Sequence, residues 1–327
     1  MNYRPLGKTG FKVSEVSLGT WQLGADWGNI EKDKAFEILR TAVDNGVNFF
    51  DTADVYGDGR SEQIIGEFLK RTKPKMIVAT KAGRRLKPHT AEGYTKSNIK
   101  KFIERSLKNL QKDSLDLLQL HCPPTSVYYK PEVFAALDEF KSQGLIKHYG
   151  VSVEKIEEAI KAMQYPGVET VQIIFNIFRQ RPNELFFDLA RKNKIGIISR
   201  VPLASGLLTG KFNKSTQFAK TDHRNYNRKG SAFDVGETFA GVDFSTGLAA
   251  VEELKKMKPA VYSMPQFAIR WILDHKEVSC VITGASKPEH IIDNAQASRL
   301  KPLNKTNANK IKKLYEAKIK ASVHQRW

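Results

Sequence analysis

Apolar runs too short to be helices alternate with longer stretches of helical periodicity from residue 13 onward. Strands are predicted over Val13 to Leu18, Val47 to Phe50, Met76 to Thr80, Leu115 to Leu120, Lys147 to Val151, Thr170 to Phe175, Ile195 to Ser199 and Val278 to Thr283. Helical spacing follows the first six of these: Glu31 to Asn45, Ser61 to Arg71, Lys96 to Leu110 with Ser97 as amino cap, Pro131 to Gln143, Glu154 to Met163, and Pro182 or Asn183 to Lys192. After the seventh strand a long irregular stretch runs to about Asp243, and helices over Ser245 to Met257 and Ser263 to Asp274 precede the last strand. A short helix over Pro288 to Ala297 and a longer one over Asn304 to Ser322 complete the chain.

Eight strands with a helix between each pair is the order of a (β/α)₈ barrel. An open doubly wound sheet needs the same alternation, but no Gly-x-Gly-x-x-Gly follows the first strand, where a Rossmann domain carries its phosphate loop. Ahead of the barrel, Tyr3 to Phe11 reads as a two-stranded hairpin turning on Thr9-Gly10, a lid and not a core strand. No linker or composition break divides residues 1–327, so the expectation is one α/β barrel domain with an amino-terminal β-hairpin and two extra helices.

Composition changes this picture little. The chain is 41% hydrophobic and 27% charged, with no apolar run near the length of a membrane span and no signal-like amino terminus. Cys122 and Cys280 are too few for a disulfide framework and too far apart for a metal knuckle, so a reducing cytoplasm is the expected compartment. The net charge of +18 raises the question of nucleic acid. The lysines, however, are spread over every predicted helix, and no recognised nucleic-acid motif accompanies them. A solvated basic surface is the expectation, with neither nucleic acid nor membrane as partner.

The chemistry gathers where strands end. The first ends in Gly19-Thr20-Trp21, and the second delivers Asp51 and, five residues on, Tyr56. Lys81 directly follows the third and His121 the fourth. Each alone has an ordinary explanation: a turn-forming aspartate, a loop aromatic, a solvent-reaching lysine, a core histidine. A barrel brings all four to one rim. There the Lys81 ammonium would lower the phenol pKa of Tyr56 toward the working range, Asp51 would hold Lys81 charged and aimed, and His121 would donate to a carbonyl oxygen. Such a set suits protonation of an oxygen whose carbon accepts hydride, with the hydride from a cofactor. Nothing in it is a nucleophile activated for acyl transfer, and no metal-ligand cluster is visible.

These residues resemble those of the aldo-keto reductases over nearly the whole chain. The likeness runs through Leu6-Gly7-Lys8-Thr9-Gly10, Gly19-Thr20-Trp21, Asp51-Thr52-Ala53-Asp54-Val55-Tyr56-Gly57, Thr80-Lys81, Leu120-His121-Cys122-Pro123 and Gly150-Val151-Ser152. It continues in Pro202-Leu203, Gly206-Leu207-Leu208-Thr209-Gly210-Lys211 and Gly284-Ala285-Ser286. The resemblance implies a barrel binding extended NADPH, with Tyr56 as general acid, Lys81 and Asp51 as its tuning pair and His121 as carbonyl orienter. It also implies cofactor contacts from Thr20, Trp21, Asp51, Ser152 and Gln172, the last two on the nicotinamide carboxamide. The usual Ser-Asn pair reads Ser152-Val153, and Arg200 stands where the family commonly has an aromatic stacking on the nicotinamide. The segment Pro202, Leu203, Ser205, Gly206, Leu207 and Lys211 would wrap the pyrophosphate, beside Gly284. Ser286, Lys287 and His290 would surround the adenosine phosphate and Asn294 meet the adenine, with Asp293 of the same helix among the cofactor contacts and His290 in place of a frequent arginine. NADP(H) is the expected cofactor, with NAD(H) as the alternative. Trp21, Val55, Tyr56 and His121 would line the substrate side, with part of the loop from Phe212 to Asp243, which holds Arg224, Tyr226, Arg228, Phe233 and Phe239.

The leading expectation is a monomeric or weakly self-associating reductase of small aldehydes or ketones. Its alternatives are an NAD(P)-dependent sugar or inositol dehydrogenase, and an NADPH-binding regulatory subunit like the potassium-channel partners within the family.

Overall fold

The computed structural model describes residues 1–24 and 30–327. Its strands are β1 (Tyr3–Pro5), β2 (Lys12–Ser14), β3 (Val16–Gly19), β4 (Phe49–Asp51), β5 (Ile77–Ala82), β6 (Leu115–His121), β7 (Ile146–Ser152), β8 (Val168–Ile174), β9 (Gly196–Arg200) and β10 (Val278–Gly284). The helices are α1 (Lys32–Asp44), α2 (Arg60–Thr72), α3 (Lys96–Leu110), α4 (Pro131–Ser142), α5 (Ile156–Ala162), α6 (Phe186–Lys192), α7 (His223–Tyr226), α8 (Phe244–Met257), α9 (Met264–Leu273), α10 (Pro288–Gln296), α11 (Lys305–Leu314) and α12 (Lys320–Val323). Strands β3 to β10 close into a barrel in chain order, each parallel to its neighbours, with β10 meeting β3. The predicted (β/α)₈ architecture and its hairpin are therefore present.

Side chains alternate across a strand, so every second residue faces the barrel interior. At the amino-terminal end those residues are apolar: Phe49, Ala79, Leu117, Ile198, Cys280 and Ile282 form one buried cluster with Leu6 and Val13 of the hairpin region. Two residues further along β4, β5, β6 and β9 stand Asp51, Lys81, Gln119 and Arg200, all buried. The interior is thus plugged with hydrocarbon below and polar above, and the polar layer is where chemistry can occur. Outward-facing Phe50, Val78, Leu118, Val171 and Val281 pack under the helices with Ile38, Ile65, Phe68 and Ile103.

The hairpin closes the lower end. Arg4 donates to the carbonyls of Leu273 (2.6 Å) and Val278 (2.8 Å) and to Glu15 Oε1 (2.7 Å), tying β1 to the α9–β10 connection. Gly7 has φ +56°, and a Cβ there would lie 2.2 Å from Gly196 N at the start of β9. Gly7→Ala is therefore expected to cost about 2 kcal/mol or more, from left-handed strain plus displacement of the plug. Chemical denaturation of the variant checks this, and an unchanged midpoint would remove the close approach as its cause.

Several predicted bounds shift for identifiable reasons. The run Val13 to Leu18 is divided at Glu15 between β2 of the hairpin and β3 of the barrel. Strand β4 begins at Phe49 because Asn48 serves the hairpin, accepting from Ser14 N at 2.7 Å and donating to Lys12 O at 2.8 Å. The cap of α3 is Thr95, whose hydroxyl accepts from Asn98 N, and not Ser97. Helix α5 starts late because Glu158 Oε2 accepts from the backbone N–H groups of Glu154 and Lys155. Residues Arg181–Asn183 form a 3₁₀ turn before α6. The final predicted helix is broken by a π turn over Tyr315–Ile319, and the stretch read as irregular contains α7. The extra helices are α8 and α11, and Glu253 of α8 pairs with Lys318 just beyond α11. Among the described residues no helix is long and apolar enough to cross a membrane.

Candidate active site

Four strand ends supply the centre of the site. Lys81 Nζ, 1% exposed, makes a short charge-assisted bond to Asp51 Oδ1. It also donates to Thr52 O at 2.8 Å and reaches Tyr56 OH at 3.3 Å. Three acceptors satisfy the three donors of an ammonium, so the lysine is fixed in place. The other oxygen of Asp51 accepts from Gln172 Nε2 at 2.7 Å and Gln119 Nε2 at 3.1 Å. Tyr56 lies edge-on to His121, ring centroids 5.9 Å apart, and roughly parallel to Trp21 at 6.0 Å. The predicted catalytic four thus converge.

One expectation needs correction. Lys81 does pull the Tyr56 phenol downward, but burial outweighs it, and the net displacement is above the ordinary phenol value. For Lys81, burial works against the charge, yet Asp51 and Tyr56 together leave its pKa raised, so the ammonium persists. His121 is held well below the usual imidazole range by burial and by the charges of Arg84 and Lys81, and is neutral. The free site therefore holds a protonated phenol, an ammonium and a neutral imidazole.

Of a second layer the sequence pointed only to Arg200; Arg84, Glu154 and Glu237 were missed. Arg84 Nη1 lies 3.0 Å from Glu237 Oε1 and 3.5 Å from His121 Nε2. Arg200 Nη1 lies 3.6 Å from the same Glu237 oxygen, and its Nη2 donates to Val153 O at 3.0 Å. Glu154 lies 3.9 Å from Arg84, and burial, with the charges of Asp234 and Glu237, lifts its carboxyl to about 7. Cys122, Glu154 and Glu237 bring possible ligand atoms within 4.8 Å of one another. The two guanidinium groups already there, Arg200 Nη2 at 3.7 Å from Cys122 Sγ among them, make the spot unfavourable for a cation. Gln119 was readable as the residue two before His121 on the same strand face; Glu237, in a loop, carried no periodic signal.

The long connection after β9 is folded over this layer. Phe233 meets the Trp21 ring at 6.0 Å, while Phe212, Phe218, Phe239 and Phe244 pack together with Arg224 4.5 Å from the Phe218 ring. Trp327 anchors the connection, donating Nε1–H to Asp234 at 2.8 Å with Arg179 3.9 Å from its ring.

The expected cofactor residues fall into two sets. Ser152 registers beside His121 and opposite Gln172, so both lie at the rim with Arg200. Beyond β9, Ala204, Ser205 and Gly206 have φ of +47°, +54° and +94°, an unusual left-handed run whose amides could cradle an anion, flanked by Pro202, Leu203 and Leu207. Burial and the charges of Lys211 and Lys287 push His290, in the first turn of α10, below its usual range. Gly284, Ser286 and Lys287, between β10 and α10, are exposed, whereas Asn294 is buried. Besides Asp51, Gln172 and Arg200, whose bonds are given above, three more residues have their side chains engaged internally. Thr20 donates to Asp51 O at 2.9 Å, Ser205 donates to Glu237 O at 2.9 Å, and Asp293 accepts from Ser263 at 2.9 Å and Gln266 at 2.8 Å. Val55 is half-buried in the turn leading to Tyr56. A cradle of backbone amides for an anion, with Lys211 and Lys287 as cations, fits a dinucleotide.

The description "aldo/keto reductase family" fits a family model that matches residues 15–316. The chain belongs to that family. This aldo/keto reductase is 33% identical to the aldo-keto reductase YhdN of Bacillus subtilis over 88% of its own length and 86% of that protein. It is 31% identical to a probable voltage-gated potassium channel subunit beta of Arabidopsis thaliana, over 93% of each chain. Among solved structures, the glycerol dehydrogenase AKR11B4 from Gluconobacter oxydans superposes with TM-score 0.80 at 27% identity, covering 97% of this chain and 96% of that one. An oxidoreductase family and a closed barrel agree with what the strand ends display.

Proposed function

We propose that this aldo/keto reductase is an NADP(H)-dependent enzyme acting as a single barrel domain, reducing aldehydes or ketones to alcohols with Tyr56 as the proton donor. The observation carrying the reading is Lys81 Nζ held by Asp51 and within 3.3 Å of Tyr56 OH, beside a neutral His121. A bound dihydronicotinamide supplies hydride to the carbonyl carbon. His121 donates an N–H to the carbonyl oxygen and fixes it next to the phenol. As that oxygen gains charge Tyr56 transfers its proton, and Lys81 stabilises the phenolate left behind. Burial raises the Tyr56 phenol above its ordinary value, so the free protein holds the proton that reduction consumes.

Ser152 and Gln172 would orient the carboxamide, and the left-handed run Ala204 to Gly206 would receive the pyrophosphate. Lys287 and Lys211 would provide charge for a 2′-phosphate, since His290 is kept neutral. Lys287→Ala should weaken NADPH by roughly fivefold and NADH by less, read by fluorescence titration. Equal weakening would place the 2′-phosphate elsewhere. The direct test of the function is a carbonyl panel with NADPH and NADH, followed by absorbance, on the native protein and Tyr56→Phe. NADPH binding without turnover of anything in the panel would favour the regulatory reading that the plant channel-subunit relative supports.

A further inference from the structure

In the polar layer beside His121 two guanidinium groups are directed at a single carboxylate oxygen. Arg84 and Arg200 face one carboxylate, Glu237, at 3.0 and 3.6 Å. The second nearby acid, Glu154, has its carboxyl lifted to about 7 and is 3.9 Å from Arg84. Arg200 is 7% exposed, yet its Nε–H has no hydrogen-bond partner among the described residues. A buried guanidinium donor left open costs free energy unless a ligand meets it. Glu237 itself comes from the connection after β9 and not from the barrel, so its carboxylate reaches the arginines as a ligand would.

We propose that Arg84 and Arg200 form the recognition site for a carboxylate on the carbonyl substrate, and that Glu237 occupies it in the free protein as an internal stand-in. The proposal deepens the reductase reading and rests on it. Position sets the substrate class. Arg84 Nη1 is 3.5 Å from His121 Nε2, so an oxygen held by one nitrogen is a near neighbour of an oxygen held by the other. A carbonyl on His121 and a carboxylate on Arg84 can then belong to one small molecule with only a carbon or two between them. Short oxo acids, above all 2-oxo acids, have that spacing.

Arg84 also controls what His121 can do. Its 3.5 Å approach to Nε2, a long contact, biases that nitrogen toward accepting and the ring proton toward Nδ1, which has no partner among the described residues. A substrate carboxylate draws the guanidinium to itself and leaves Nε2 able to carry the proton and donate it to the carbonyl oxygen. In the reaction the C=O π bond breaks and a C–H and an O–H bond form. The reduced nicotinamide is oxidised, Tyr56 gives the proton and regains one from solvent, and the product is a hydroxy acid.

The test compares pyruvate with methyl pyruvate, so that the intrinsic reactivity of the carbonyl cancels in the ratio between proteins. In Arg84→Gln the kcat/KM for pyruvate should fall at least about thirtyfold more than that for the ester, mainly through KM, with Arg84→Lys partly restoring it. In Glu237→Gln the KM for pyruvate should fall, because the competing carboxylate is gone, while that for the ester should not. Equal losses for acid and ester in Arg84→Gln, or a raised KM for pyruvate in Glu237→Gln, would overturn the proposal. Oxalate binding by calorimetry gives a readout independent of turnover: native protein should bind it, Arg84→Gln at least tenfold more weakly, Glu237→Gln more tightly. If no carbonyl is reduced yet oxalate binds in this Arg84-dependent way, the reductase reading fails and the anion site stands. If oxalate ignores Arg84, the anion site fails whatever the panel shows.

Discussion

Tyr56→Phe should lower kcat for aldehyde reduction by about 10²–10⁴-fold while leaving NADPH affinity close to native. The substitution removes one oxygen, whose single hydrogen-bond contact in the described structure is the 3.3 Å approach of Lys81 Nζ. The ring and its neighbours Trp21 and His121 stay in place, so the loss is one of proton donation and not of fold. The same geometry predicts that neither Tyr56 nor His121 makes kcat pH-dependent near neutrality in the native protein, so any inflection close to pH 7 belongs to Glu154. Burial lifts Tyr56 above its ordinary value and His121 is held well below its own, so neither changes protonation there. Stopped-flow absorbance under single-turnover conditions separates the chemical step from product release. An undiminished single-turnover rate in the variant would mean the proton comes from elsewhere.

The largest effect on stability should come from Lys81→Met. Lys81 and Asp51 are 1% and 2% exposed, and the ammonium is the only cation in hydrogen-bond contact with that carboxylate among the described residues. Removing it leaves a buried charge supported by two glutamine amides alone. Breaking such a pair costs about 3–5 kcal/mol. Adding Asp51→Asn should recover most of that loss, because the orphaned charge then disappears, while activity stays as low as in the single variant. Urea unfolding of both singles and the double gives the coupling directly. If the double is no more stable than Lys81→Met, the pair is not held together by charge.

How much of this was readable beforehand follows from where each residue sits. Asp51, Lys81 and His121 stand at the ends of apolar strands, and the barrel rule alone puts strand ends on one rim. Gln119 and Arg200 share strands with recognised positions, yet Gln119's bond to Asp51 depends on the stagger between neighbouring strands, which periodicity does not contain. Arg84 lies beyond β5, and its role depends on Glu237, 153 residues later. Contacts between a strand-end loop and a distant connection are set by tertiary packing. The same limit explains the split of Val13 to Leu18: an unbroken apolar run does not show that Glu15 is where the chain turns from hairpin to barrel. The direction of the Tyr56 displacement was misjudged because the pairwise pull of Lys81 was visible and the burial opposing it was not.

The junction between β3 and β10 has a consequence for synthesis. Val16 pairs with Val281 and Gly19 with Gly284, so the first barrel strand finds its second partner only near the carboxyl end of the chain. Until that segment has left the ribosome, β3 and β9 each present an open edge, and the apolar floor lacks Cys280 and Ile282. Such edges invite pairing between nascent chains. Closure across so long a separation is also slow compared with formation of the local βα units. Expression yield should therefore respond more to the translation rate through the last barrel strand than to codon choice in the first.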